Sequence, residues 1–299
     1  MRKLLTLLFF ISLSHFAFGQ PDPAWFYPEK IEKITEQLKT DSLNYDLIWE
    51  RLGMKVALLM RDKGNEQFND VFRHYPNVIT CEKIDCKEYN EDFEMIYDNA
   101  FISKKIQLNP FDFYLLRMLF YGSTLQLDKA YEDLIYIKRN IPVSKDWETE
   151  IEFYFFKIYA LKKDYDKALE TINSILETEK NKFYAYNDPN NKYRQKVDLF
   201  KYFNKTNKLI AFLKQHCGDS FDLYFRSKNE KDNDRAELKE NSFVYLTELI
   251  YYMKEYNYNE LPKYEKIYKQ LRYQMNENYE TINPNINDSK LKSIVSQIK

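Results

Sequence analysis

Three cysteines and three histidines are the residues with which this 299-residue chain could build a nucleophile or bind a metal. His15 falls in an apolar N-terminal run, which leaves His74 and His216 as bases. A serine or cysteine nucleophile needs a positioned base beside it. Gly-x-Ser-x-Gly is absent and so is His-Glu-x-x-His, which removes the hydrolase elbow and the zinc-protease helix. His74, Cys81, Cys86, His216 and Cys217 match no zinc-ligand spacing. Asp232-x-Asp234 opens like a calcium loop. Its sixth position is Glu237 and its twelfth Phe243, where glycine and glutamate are required. Five glycines in the whole chain leave little from which to build a phosphate-cradling loop. The expectation is no catalytic residue, no cofactor and no metal. The alternative is an α-helical toroid hydrolysing carbohydrate with a carboxylate pair, because 46 acidic residues allow a pairing in space that spacing cannot reveal.

The cysteines also bear on compartment. Met1-Arg2-Lys3, the apolar run Leu4 to Leu13 and the small-residue exit Ala17-Phe18-Gly19 form the three zones of a cleaved export signal. The apolar run is too short to cross a bilayer, which takes ~20 residues. A signal at 1–19 implies a mature chain from Gln20 that is periplasmic or secreted, with no transmembrane segment. In an oxidising compartment Cys81 and Cys86 could close a short loop. A spacing of five works in a loop and fails on one continuous helix, where the two side chains point to different faces. Loss of Arg2 and Lys3 leaves a net charge near −3 on the mature chain, and no clustered basic surface asks for nucleic acid.

The elements that must position these residues are helices. Glycine poverty argues against turn-rich β architecture, and 26 Tyr with 22 Phe at helical spacing predict a thick aromatic core. Helical periodicity begins at Ile31 and recurs through Leu47–Leu59, Phe93–Lys104, Tyr114–Tyr121, Ala130–Ile137, Phe155–Leu161, Ala168–Leu176, Val197–Phe203 and Ile210–Leu213, with a stop expected at Gly218. Pro76, Pro110 and Pro142 lie 34 and 32 residues apart, and each closes a stretch that reads as a helical hairpin. A period in the mid-thirties signals stacked helical repeats. The organisation expected is a repeat domain over 20–225 and a charged connection, or a polar helix, over 226–241. A C-terminal hairpin then occupies 242–299, ending in a capping helix with Leu291, Ile294, Val295 and Ile298 on one stripe.

Trp49-x2-Leu52-Gly53, then Gly64, Phe68, Val71 and Pro76, resembles the tetratricopeptide repeat pattern. Tyr114, Tyr121, Ala130, Leu134, Ile137 and Pro142 match in a second unit, with Arg117 where leucine is expected. Phe155, Tyr159, Tyr165, Ala168, Ile172 and Ile175 match in a third, with Phe156 at a usually small position. The resemblance implies an all-α, right-handed solenoid of stacked antiparallel helix pairs that binds a protein or peptide in a groove. It places groove positions at Leu115, Leu119 and Ser123, and at Phe153, Lys157, Ala160 and Leu161. The function expected is therefore an exported, non-catalytic binding scaffold. The competing expectation for Leu115 and Leu119 is packing against a neighbouring helix.

Overall fold

The computed structural model describes residues 27–61, 71, 80–81, 84–178, 192–226, 232–276, 293 and 296–298. The export signal, the first repeat's Gly64, Phe68 and Pro76, His74, and the 187–191 loop lie outside the described residues. Eleven α-helices run in order among the described ones: α1 (Tyr27–Thr40), α2 (Tyr45–Arg61), α3 (Cys86–Tyr97), α4 (Pro110–Ser123), α5 (Leu127–Asn140), α6 (Lys145–Leu161), α7 (Tyr165–Thr178), α8 (Lys192–Tyr202), α9 (Thr206–Arg226), α10 (Asp232–Glu255) and α11 (Leu261–Asn276). The described residues contain no β-strand. The chain divides into two compact units, Met1–Ile175 and Leu176–Lys299.

One turn recurs between paired helices. In each case a residue with left-handed backbone follows the first helix: Leu125, Lys163, Asn204 and Asn257. The next residue's N–H reaches back to a carbonyl five residues earlier: Gln126 to Tyr121 at 2.8 Å, Asp164 to Tyr159 at 2.9 Å, Lys205 to Phe200 at 2.7 Å and Tyr258 to Met253 at 2.8 Å. This is the Schellman closure, which satisfies carbonyls that a helix end leaves orphaned. In the first three turns the donor also starts the next helix. Its own carbonyl accepts from Ala130, Ala168 or Leu209, and all three side chains are fully buried. A small or apolar residue is thus buried in the first turn of each of these three returning helices. Asn109 and Ser144 cap α4 and α6 by accepting from the Phe111 and Trp147 N–H groups, with Pro110 at the first helical position of α4.

In the first unit α1 pairs with α2, α2 packs on α3 and α4, α4 on α5, and α5 on α6. Leu52, Val56, Phe93, Ile96, Phe113, Met118, Phe120, Ala130, Leu134 and Ile137 form its core. Trp49 stacks on Phe113 at 6.3 Å, and Phe113 meets Phe93 edge-on at 5.9 Å. In the second unit α8 packs on α9, α9 on α10 and α10 on α11, around Leu213, Phe221, Leu249, Met253, Tyr264 and Leu271. The Tyr264 hydroxyl donates to the Ile298 carbonyl at 2.9 Å, and the Ile298 side chain is fully buried. Ile298 therefore docks on α11, and Leu291, Ile294 and Val295 of the expected capping helix lie outside the described residues.

Two local expectations change. The Phe93–Lys104 helix loses its α period at Asp98, where a π turn spans Asp98–Ile102. The Asn99 carbonyl then takes both the Lys105 and Ile106 N–H groups. Gly218 ends nothing: α9 runs through it to Arg226, because packing of Cys217 and Phe221 against the core outweighs the ~1 kcal/mol cost of a helical glycine. Of the two readings of the charged stretch 226–241, the helical one holds from Asp232, where α10 begins.

Candidate binding surfaces and buried polar clusters

Helices α4 and α6 carry the seven expected groove residues. Leu115, Ser123, Phe153, Lys157 and Ala160 are buried, and Leu119 and Leu161 keep part of their surface. Five of the seven are thus buried within the protein. Among the half-exposed positions of α4, Asp112, Leu116 and Leu119 fall on one stripe at helical i, i+4, i+7 spacing, and Arg117 and Tyr121 lie away from it. On α6 the half-exposed positions include Tyr154 and Leu161, with the Lys157 ammonium 5.5 Å from the Tyr154 ring centre. Phe111 meets Trp147 edge-on at 4.9 Å, which joins the N-terminal ends of the two helices. Loss of hydration raises the Asp112 carboxyl to about 6. That stripe therefore offers two leucines and an acid that protonates just below neutrality.

Arg117, the departure from the repeat pattern, has a structural partner. Its Nε and Nη2 donate to the two Asp133 carboxylate oxygens at 3.0 and 2.6 Å. The guanidinium also lies over the rings of Phe113, Tyr114 and Tyr121, 5.0 to 5.9 Å from their centres. Burial raises the Asp133 carboxyl, and the bidentate guanidinium pulls it back down. The two-point bond marks this as an ionised pair that clips α4 to α5. A second clip joins α2 to α3. Arg51 donates to both Asp92 oxygens at 2.9 Å, and Lys55 pairs with Glu88 at 2.5 Å. A tyrosine seam joins α5 to α6. Tyr131 lies 5.9 Å from Tyr159, with Lys138–Glu152 at one end and Lys162–Asp128 at the other.

The second unit holds two further clusters. Arg194 on α8 bonds Glu248 on α10 at 2.8 Å and reaches Asp198 at 3.5 Å. Burial raises the Glu248 carboxyl, and Arg194 opposes that rise. His216 on α9 stacks on Tyr193 at 4.0 Å and on Phe212 at 5.9 Å, and meets Tyr245 edge-on at 4.2 Å. The ring keeps some surface, but its Nε2 is shut off from solvent and has no hydrogen-bond partner among the described residues. Loss of hydration, with help from the nearby Lys196 cation, pushes the His216 pKa down to about 3. Lys196 itself sits 4.2 Å over the Phe212 ring, and burial lowers it to about 8. The imidazole is therefore neutral at physiological pH and packs as an aromatic ring. Cys217, expected at a helix end, lies fully buried in mid-helix, and burial drives its thiol far above the usual range.

The structure joins Cys81 and Cys86 in a disulfide, with their Cα atoms 5.2 Å apart. Cys86 is the first residue of α3, and Cys81 lies ahead of the helix. The bond therefore bridges a loop and a helix end, a geometry between the two weighed from the sequence.

Three carboxylates with raised pKa values, Asp92, Asp133 and Glu248, are each held by an arginine on a neighbouring helix. Such bonds consume the carboxylates in cross-helix fastening. No group of three or more His, Cys, Asp or Glu that could hold a metal ion occurs among the described residues. None of the described helices is long and apolar enough to cross a membrane. Sequence reasoning missed Asp133 and His216 as structural centres. The signal for the first was Arg117 in a leucine position, sixteen residues ahead of an acid on the returning helix. No family model, no curated protein and no solved structure matches the chain.

Proposed function

We propose that the protein is an exported, non-catalytic scaffold that binds a protein or peptide on the surface of a tetratricopeptide-like helical solenoid. The observation that carries this reading is the recurrence of one hairpin closure at Leu125, Lys163, Asn204 and Asn257. One helical pair cannot bury its apolar face alone, and within the first unit the α4–α5 pair packs through α5 on α6. On α4 and α6 the side chains of Leu116, Leu119, Tyr154 and Leu161 remain half-exposed, and apolar surface left open to solvent is what a protein partner covers. Placement of the mature chain in the periplasm or outside the cell follows from the residue pattern of 1–19.

The test is a crosslinking pull-down of the mature protein from the native envelope fraction, followed by direct binding of the recovered partner. Leu119→Arg puts a charge on the stripe while leaving the buried neighbours in place. It should weaken binding at least about tenfold, in the range of an interface anchor. Equal binding by the variant, or a wild-type protein that recovers no partner, would contradict the reading.

A further inference from the structure

From the placement of its two sulfurs we infer that Cys81–Cys86 is a thiol–disulfide exchange site, attacked at Cys81 by a thiol reductant and releasing Cys86 as the leaving thiolate. The inference does not depend on the binding role proposed above. The two sulfurs differ in access. Cys81 is exposed ahead of the helix, whereas Cys86 is 7% exposed and belongs to the core cluster of the first unit. Exchange requires the attacking thiolate to approach in line with the S–S bond, so the exposed sulfur is the one reached.

The sulfurs also differ in what stabilises them on leaving. Cys86 is the first residue of α3, where unpaired N–H groups and the helix dipole favour an anion. The groups around it are the Asp85 carboxylate, which is occupied in accepting the Lys87 N–H at 3.0 Å, the exposed Lys87 ammonium, and Glu88, which is paired to Lys55. Cys81 is held from the other side. Gln126, in the turn between α4 and α5, donates from Nε2 to the Cys81 sulfur at 3.1 Å and to the Thr124 hydroxyl at 2.9 Å. The disulfide and the Gln126 contact thus tie Cys81 to α3 and to the α4–α5 turn.

The chemistry balances with a monothiol as the only added reagent. A thiolate attacks the Cys81 Sγ. The Cys81–Cys86 bond breaks, its electron pair leaves on the Cys86 Sγ, and a mixed disulfide forms on Cys81. A second thiolate attacks the reagent's sulfur in that mixed disulfide and expels the Cys81 thiolate. Two reagent thiols are oxidised to one disulfide, the protein bond is reduced, and the two protons pass to Cys81 and Cys86. Reduction leaves α3 in place, because its cap at Asp85 and its core residues Phe93 and Ile96 do not involve the bond. What it frees is Cys81 from the first turn of α3.

The oxidised full-length protein is incubated with reduced and oxidised glutathione without denaturant, acid-quenched, blocked with N-ethylmaleimide, and mapped by peptide mass spectrometry. Glutathione should appear on Cys81 at least about tenfold more than on Cys86. Helical circular dichroism should be unchanged, and the buried Cys217 should remain unmodified. Adducts equal on the two sulfurs or greater on Cys86 would overturn the assignment. So would a bond that yields only when the protein is unfolded.

Discussion

Arg117 shows how a residue that breaks a sequence pattern can be the one that fixes a helix pair. Leucine at that position would bury apolar surface, but it would strand Asp133, whose side chain is 5% exposed. Removing one member of a buried pair costs about 3–5 kcal/mol, whereas replacing both with apolar groups is often neutral. Arg117→Leu should therefore destabilise by about 3 kcal/mol in urea titration, and Arg117→Leu with Asp133→Leu should recover most of it. A single variant as stable as the wild type would mean that the bidentate bond holds nothing. His216 gives a second test with a definite sign. Its folded pKa of about 3 lies below the ordinary histidine value. The unfolded chain therefore takes up a proton that the folded ring refuses. Stability contributed by the neutral ring is complete above about pH 6.5 and is lost as pH falls, at about 1.4 kcal/mol per pH unit. The charged group facing it is Lys196 on α8, and Tyr193 and Tyr245 bring no carboxylate. His216→Phe keeps an aromatic ring in the stack and should flatten the pH dependence of urea unfolding between pH 6.5 and 4. An unchanged slope would place the titration elsewhere.

At the level of elements, the hairpins close without glycine. Leucine, lysine and two asparagines occupy the four left-handed positions, although glycine is the usual residue there. Lys163 has a φ of 64°, a conformation that strains a residue with a Cβ. Lys163→Gly should stabilise the protein by about 0.5–1 kcal/mol, read as a rise in thermal midpoint. A fall would show that the lysine side chain is worth more than the relief of strain. The same glycine poverty explains what was legible. Tyr114–Tyr121, Ala130–Ile137 and Phe155–Leu161 could be read because their apolar residues keep a 3.6 period and because Pro110 and Pro142 mark their ends. The π turn at Asp98–Ile102 was not legible, since Phe101 keeps its i+4 spacing from Tyr97 while the backbone slips by one residue. Gly218 misled for the opposite reason, a breaker residue overruled by its buried neighbours. The buried clusters were legible only in part. Arg117 announced itself as an exception, but its partner and the rings around His216 come together across helices, where spacing along one chain carries no information.

At the scale of the whole molecule, each unit is a run of adjacent helix pairs with its own core, and the second includes the chain end. Ile298 is fully buried, and its backbone is held by Tyr264. Ile298→Ala should cost about 2–5 kcal/mol if the end is part of the core, measured by urea unfolding. A loss below about 0.5 kcal/mol would make the contact incidental. The functional proposal rests on the repeated hairpin and on the half-exposed stripes of α4 and α6, and site-specific photocrosslinking addresses it most directly. A benzophenone side chain is placed at Leu119, at Leu161, or at the exposed Glu132 of α5 as control, in the full-length protein expressed in its own cells. The account predicts one common adduct from Leu119 and Leu161 and none from Glu132. No adduct at either leucine, or the same adduct at Glu132, would contradict it.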